Sequence, residues 1–445
     1  MEYIILLIHI IIDTLVGVTV LKWLGVKTIN AMYLSIALAL GMFLDSFLIW
    51  LLLVIGFSVF QGFLVTAILA VGFFIYDLFV SKNKSDWNVD LAFKKPSILE
   101  GVILVFILEK TLWGLYNLAN LPVYFDDALN HWSGRGKALL DGSNWSWDPT
   151  SIYFMGKAFG NEQYPLFASI WRATNAALLG RHDAGLERVD GFLLWLVLLI
   201  VTTYWIKHYT QKRWLGLLGA AIIAAIPLQT WHNTSGYVEV YIQAYLLLSL
   251  YCLFQNKYIL AGLFSAAMIW SKNEGLVLFV PSVMACVAIK LYLEKSTPLS
   301  ERTESFLRYN LSWLLVIAPW IIFKLIKGIG FTIPSNQGLG YIDGAMSKMI
   351  GAIYNSPSSS ILWMFFSIAI IFSMRRIVKS NTLLPLAIGC LILLAMMTFL
   401  FTSTGSYQFL ENQSTIHRSL LQIAPPFVIL CCLSLMQKKE VYQAA

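Results

Sequence analysis

The sequence predicts an all-α integral membrane protein of about thirteen transmembrane helices, interrupted by one long polar loop. Charged residues make up only 12% of the chain, against about 25% in soluble domains, while 58% are hydrophobic and the mean hydropathy is +0.71. The apolar residues fall in repeated runs, and about 20 such residues in helical form cross a bilayer. Basic residues are also distributed unevenly between the loops on the two sides.

In chain order the predicted spans are 2–20, 30–53, 57–80, 97–117, 189–206, 214–228, 237–254, 258–271, 275–293, 308–326, 358–374, 382–402 and 417–436. The first lacks a basic leader and a small-residue cleavage site, so it reads as a retained anchor. Spans 214–228 and 258–271 are short for a bilayer. With the loops alternating between sides, 19 of the 31 Lys and Arg residues fall in one set and eleven in the other, and Lys110 lies inside a span. Six of the eleven lie in residues 118–188, where the positive-inside rule has least force. The richer set, with Lys82, Lys84, Arg375 and Lys438, is therefore cytoplasmic. The N-terminus and residues 118–188 face outward, as in a bacterial inner or plasma membrane. The +7 net charge is scattered among loops and has no nucleic-acid signature. Cys252, Cys286, Cys390, Cys431 and Cys432 sit in apolar runs without metal spacing and read as small buried hydrophobes.

The long segment opens on Asp126 and Asp127. A helix follows, with Asp126 at its N-cap and Gly142 just past its end. On it Asp127, His131 and Arg135 share a face at i, i+4 and i+8. An Asp at a helix start is also an ordinary cap, and an Asp–His pair four apart an ordinary surface pair. Asn161 to Gly180 reads as a second amphipathic helix lying along the membrane with its apolar face partly in lipid. Trp132, Trp145, Trp147 and Trp171 read as interfacial anchors, or secondarily as sugar-stacking platforms. Three further outward stretches are polar: Trp231 to Tyr237 with His232, leading to Glu239; the turn Ser271 to Gly275 with Lys272 and Glu274; and the Gly-rich loop 328–356, suited to moving. This convergence on one face favours a surface active site over a transporter, which would place charge at the midplane. Asp13, Asp45, Glu109 and Asp190 fall in or near spans one at a time and read as helix-pairing or interface residues.

The order of these features resembles the GT-C superfamily of membrane glycosyltransferases. It is closest to the branch of protein O-mannosyltransferases and bacterial aminoarabinose transferases. The resemblance rests on span 97–117, Phe125-Asp126-Asp127, the step Gln163-Tyr164-Pro165-Leu166, span 189–206 and the turn Ser271-Lys272-Asn273-Glu274-Gly275. It covers roughly 97–300. Residues 1–96 then form three extra spans and a linker, and 301–445 a C-terminal set of spans. The resemblance implies an inverting transferase that moves a sugar from a polyprenyl-phosphate donor to a hydroxyl of a glycan, lipid or protein acceptor of the cell envelope, with no cofactor. Asp126 takes the place of the base, Asp127 that of the neighbouring acid, and Lys272, then Arg135, that of a phosphate ligand, with Arg418 in reserve. His131, Glu274, Tyr164, His232 and Glu239 complete the expected substrate site. The chain departs from the family at Gln163, where some relatives carry Lys, and at Asp127, usually Glu. Three good oxygen ligands are not evident beside the acidic pair, so no metal is expected there.

A polysaccharide polymerase or ligase would instead rely on basic residues of the outer loop. A lipid-linked sugar flippase would need a polar path through the membrane. The charge bias makes topology testable: a Cys introduced at Ser143 should react with a membrane-impermeant reagent in intact cells, and one at Thr297 should not. The reverse pattern would remove the outward-facing site.

Overall fold

The computed structural model describes residues 2–26, 28–79, 88–90, 95–123, 126–331, 339–356, 360–413 and 415–436. Phe125 of the predicted motif, Lys27, Lys82, Lys84, Lys94, Lys438 and Lys439, and part of loop 328–356, lie outside them. All thirteen predicted spans coincide with helices. In order these are α1 (Glu2–Trp23), α2 (Ala31–Val54), α3 (Val59–Phe79), α4 (Ile98–Asn120), α5 (Arg135–Asp141), α6 (Phe167–Leu179), α7 (Val189–Thr210), α8 (Arg213–Ala225), α9 (Pro227–His232), α10 (Glu239–Phe254), α11 (Tyr258–Ser271), α12 (Val280–Leu293), α13 (Leu299–Lys327), α14 (Ala345–Tyr354), α15 (Ser360–Lys379), α16 (Leu383–Ser403), α17 (Tyr407–Glu411) and α18 (Ile416–Met436). One parallel pair of three-residue strands, Thr28–Asn30 with Asn88–Asp90, departs from the all-helical expectation.

Among the described residues nine helices are long and apolar enough to cross a membrane. Ile98, Ile361 and Phe372 stand 90%, 84% and 83% exposed, which suits hydrocarbon and not water. The other four predicted spans are α4, which carries Glu109 and Lys110 near its middle, and the shorter apolar helices α8, α10 and α11. Thirteen residues rise only about 20 Å, less than the roughly 30 Å hydrocarbon core. α10 is buried along almost its whole length, so protein rather than lipid surrounds it. The five cysteines are buried and free, as expected.

Local chemistry sets the helix ends. Asn30 caps α2 by accepting from Tyr33 N. Ser97 and Glu100 form a reciprocal capping box at α4, and Glu100 also binds Arg213 at the start of α8. α6 and α13 end at Gly180 (φ 69°) and Gly328 (φ 68°).

A single apolar core runs from Leu6 to Leu433, so the three N-terminal helices are not a separate body. α1, α2 and α3 pack on one another and on α6, and α2 also packs on α7. Trp50 of α2 lies 5.2 Å from Trp270 of α11 and 5.5 Å from Trp320 of α13. This changes the reading of α6: residues 167–176 are all buried, so the helix has no lipid-facing side. Trp132 and Trp171 are likewise buried and are not interfacial anchors. Part of loop 328–356 is ordered as α14, packed against α15 and α16.

The strongest polar tie in this core is between Arg172 of α6 and Asp190 of α7, at 2.8 Å and 1% and 0% exposed. Arg172 also donates to Gly236 O at 2.8 Å and Ser133 Oγ at 3.3 Å, and Asp190 accepts from Tyr241 OH. Removing one partner of a buried pair costs about 3–5 kcal/mol. Arg172→Met and Asp190→Asn should therefore each lower the unfolding temperature of the detergent-solubilised protein sharply, since either change leaves a buried charge without its counter-ion. An unchanged melting curve for Arg172→Met would show that the pair does not hold the bundle.

Candidate functional site

The predicted opening helix is present but not uniform. After Asp126 and Asp127, residues Ala128–Gly134 form a π-helical segment, followed by α5, which ends at Gly142 (φ 67°). A second π segment, Gly275–Phe279, follows the Lys272 turn. Such segments are rare and often mark functional sites. Gly275 is required by packing, since a Cβ there would lie 2.4 Å from Met268 O. Gly236 is required by its backbone, at φ 88°.

Seven of the nine residues singled out from sequence gather at one end of the bundle. Asp127 Oδ2 accepts from Arg418 Nη1 at 2.7 Å, and Arg418 Nε lies 3.3 Å from Glu239 Oε1. Lys272 Nζ reaches the same Glu239 oxygen at 3.5 Å and Glu274 Oε1 at 3.3 Å. His131 Nε2 is 3.8 Å from Asp127 Oδ1, and His232 Nδ1 is 3.8 Å from Glu239 Oε2. The Tyr164 ring lies 5.5 Å from His131 and 5.3 Å from Trp132. The result is a chain of alternating charge: Asp127, Arg418, Glu239, Lys272, Glu274.

Arg135 does not join them. It is fully buried, with Nε donating to Met155 O at 2.9 Å and Nη1 to Tyr164 O at 3.0 Å. Beyond the π segment it points into the loop that returns to α6, and the i, i+4, i+8 face is broken at its third member. Asp126 is exposed, and its hydrogen-bond partner is the Asn130 amide. Arg418, held only in reserve from sequence, is the hub, and its guanidinium stacks 4.4 Å over Tyr237. The one signal for it was a basic residue at the start of an otherwise apolar final run.

The turn carrying Lys272 is tied to the loop 118–188 through Asn273, which donates to Gln163 O at 3.0 Å. Lys324 Nζ donates to the same carbonyl at 2.8 Å. Burial alone would push the Lys272 ammonium down, but Glu274 and Glu239 outweigh it and hold the group above its usual range. Burial lowers His131, partly opposed by Asp127. His131 Nδ1 accepts from Asn161 N at 3.0 Å. Among the described residues four buried atoms of the network, Glu239 Oε2, Glu274 Oε2, His232 Nδ1 and Arg418 Nε, have no hydrogen-bond partner, so it has unused polar capacity. Next to Arg418 in the chain, His417 and Leu421 join Ile226, Leu228, Leu362 and Trp363 around a small apolar recess of about 10 Å³, room for roughly one water.

Burial holds His232 down at about 4 despite Glu239 nearby, whereas an unfolded histidine titrates near 6.5. Between those values the unfolded chain binds more protons, so stability rises with pH through this window and is lost as pH falls from about 6.5 towards 4, by up to roughly 1.4 kcal/mol per unit. Thermal unfolding in detergent should show this slope, and His232→Gln should flatten it. A wild-type curve flat between pH 6.5 and 4.5 would contradict a neutral, buried His232.

No protein-family model, no curated protein and no solved structure matches this chain.

Proposed function

We propose that this protein is an inverting membrane glycosyltransferase of the GT-C type. It takes a sugar from a polyprenyl-phosphate donor and transfers it to an acceptor hydroxyl at the outer membrane face, with all thirteen apolar helices counted as spans. The observation that carries this reading is the Asp127–Arg418–Glu239–Lys272–Glu274 chain, which puts two cations within reach of a phosphate at the end of the bundle.

The two cations already face three carboxylates, so a phosphate must compete for them. The Asp127 and Glu274 side chains are 35% and 30% exposed, whereas Glu239 is 1% exposed. Glu239 thus fixes Lys272 and Arg418 from below, and the two outer carboxylates are the ones a phosphate displaces. Charge developing on the leaving phosphate is then stabilised by groups already in place.

Asp126 suits the base. Among the described residues no cation pairs with it, so its carboxylate is free to take the acceptor's proton. In the transfer the acceptor oxygen bonds to the anomeric carbon as the bond to the phosphate oxygen breaks; the proton goes to Asp126 and the electron pair leaves with the polyprenyl phosphate. Asp127 positions Arg418 and His131. A polymerase or ligase would call on the basic residues of 118–188, of which Arg135, Arg172 and Arg188 are buried and bonded to protein groups, leaving the exposed Lys137, Lys157 and Arg181. A transporter reading would call on a buried cluster in the N-terminal helices, described below.

Transfer from a panel of polyprenyl-phosphate sugars tests the assignment. Asp126→Asn, which keeps the shape, should lower the rate about 10²–10⁴-fold. Lys272→Ala should weaken donor use while the protein stays folded. Asp127→Asn should cost less than Asp126→Asn. Near-normal transfer by Asp126→Asn with loss in Asp127→Asn would exchange their roles; full activity in both would make the acidic pair structural.

A further inference from the structure

Two acids that stand alone in sequence meet inside the membrane, away from the site above. α1 carries His9 and Asp13 one turn apart, and α2 carries Asp45. Their ligand atoms all lie within 4.8 Å of one another. His9 Nε2 is 3.8 Å from Asp13 Oδ2 and 3.7 Å from Asp45 Oδ2, and all three side chains are at most 1% exposed. Asp13 and Asp45 therefore do not act singly.

The surroundings orient these groups without satisfying them. His9 Nδ1 lies 2.7 Å from Asn175 Oδ1, which orients the ring so that Nε2 faces the two carboxylates. Trp171 Nε1 donates to Asp13 Oδ2 at 2.9 Å. His9 Nε2, Asp13 Oδ1 and both oxygens of Asp45 are buried with no hydrogen-bond partner. Among the described residues no Lys or Arg forms an ion pair with either carboxylate. Two carboxylates share a single imidazole, so at least one negative charge lacks a counter-charge, at a cost of several kcal/mol in such surroundings, and something must neutralise it.

The spacing says what. Separations of 3.7–3.8 Å exceed the roughly 2.5–3.2 Å of a direct hydrogen bond. They approach the edge of a metal tetrahedron, about 3.4 Å for metal–ligand bonds of about 2.0–2.2 Å. We propose that His9, Asp13 and Asp45 bind a divalent transition metal of the zinc or manganese class. One imidazole nitrogen with carboxylate oxygens suits these ions, whereas calcium and magnesium prefer shells of oxygen alone. Asn175 is the outer partner that orients the histidine. The ion ties α1 and α2 to each other and, through Asn175 and Trp171, to α6. The proposal does not depend on the glycosyltransferase reading.

The full chain, purified in detergent without a polyhistidine tag from metal-supplemented cells, should carry close to one zinc or manganese ion by elemental analysis. Chelation should remove it and lower the unfolding temperature by several degrees, and adding back zinc or manganese alone should restore it. Asp45→Asn and His9→Gln should abolish the bound metal, and Asn175→Ala should weaken binding about 10–100-fold. If a variant fails to fold, chelation and add-back on the wild-type chain still decide. Metal below a tenth of an equivalent with no shift on adding zinc or manganese would overturn the proposal and leave protons as the neutralising charge. So would full metal content in folded Asp45→Asn or His9→Gln.

Discussion

The buried contact between Arg172 and Asp190 is the constraint on which the rest of the arrangement depends. One guanidinium joins α6 to α7 through Asp190, to the π segment through Ser133, and to the turn before α10 through Gly236. Asp190 completes the junction by accepting from Tyr241 of α10. Such a pair adds little net stability, because desolvation of two charges offsets most of their attraction. What it supplies is registration, since any displacement leaves a charge unpaired in an apolar core. Arg188 repeats the device one layer away, donating to Thr234 O at 2.8 Å and to the end of α4 at Leu118 O and Leu121 O. Ser133 lies just after His131 and Gly236 just before Glu239. Fixing those two points therefore brings Asp127 and Glu239 to the same side chain, Arg418, from segments more than a hundred residues apart.

α6 is the element shared between this junction and the acidic cluster in the N-terminal helices. Trp171 and Asn175, one turn apart, face α1 and reach Asp13 and His9, while Arg172 faces the other way and reaches Asp190. A 13-residue helix loaded with polar ties on two sides is held in one position. The three N-terminal helices thereby acquire a physical role: they cover the face of α6 that lipid would otherwise meet. They also form part of the wall against which the loop 118–188 is packed.

These features divide by how far their causes extend along the chain. Thirteen apolar runs read from sequence are helices because length and hydrophobicity are local properties, and the polar stretches that line the site were visible as interruptions between them. Arg135 was misplaced because a π segment of seven residues intervenes, and its cause, the packing of Trp132 and Gly134 against the returning loop, lies outside the local pattern. α6 was given a lipid-facing side because its amphipathic pattern does not tell lipid from protein. Asp13 and Asp45 looked solitary because helix pairing, not sequence spacing, joins residues 32 positions apart. Arg418 likewise had to be carried to Asp127 by the fold.

The adjacent acids show how the same scaffold gives two like groups different environments. Consecutive residues on a helix point about 100° apart, so Asp126 and Asp127 cannot face one partner. Asp127 turns inward to Arg418 and His131, whereas Asp126 turns outward and accepts from Asn130. The two carboxylates therefore differ in partner and in exposure: Asp127 is half-buried against a guanidinium, and Asp126 is exposed. One member thus orders the positive groups while the other stands in solvent, a difference that follows from the helix geometry and from Arg418.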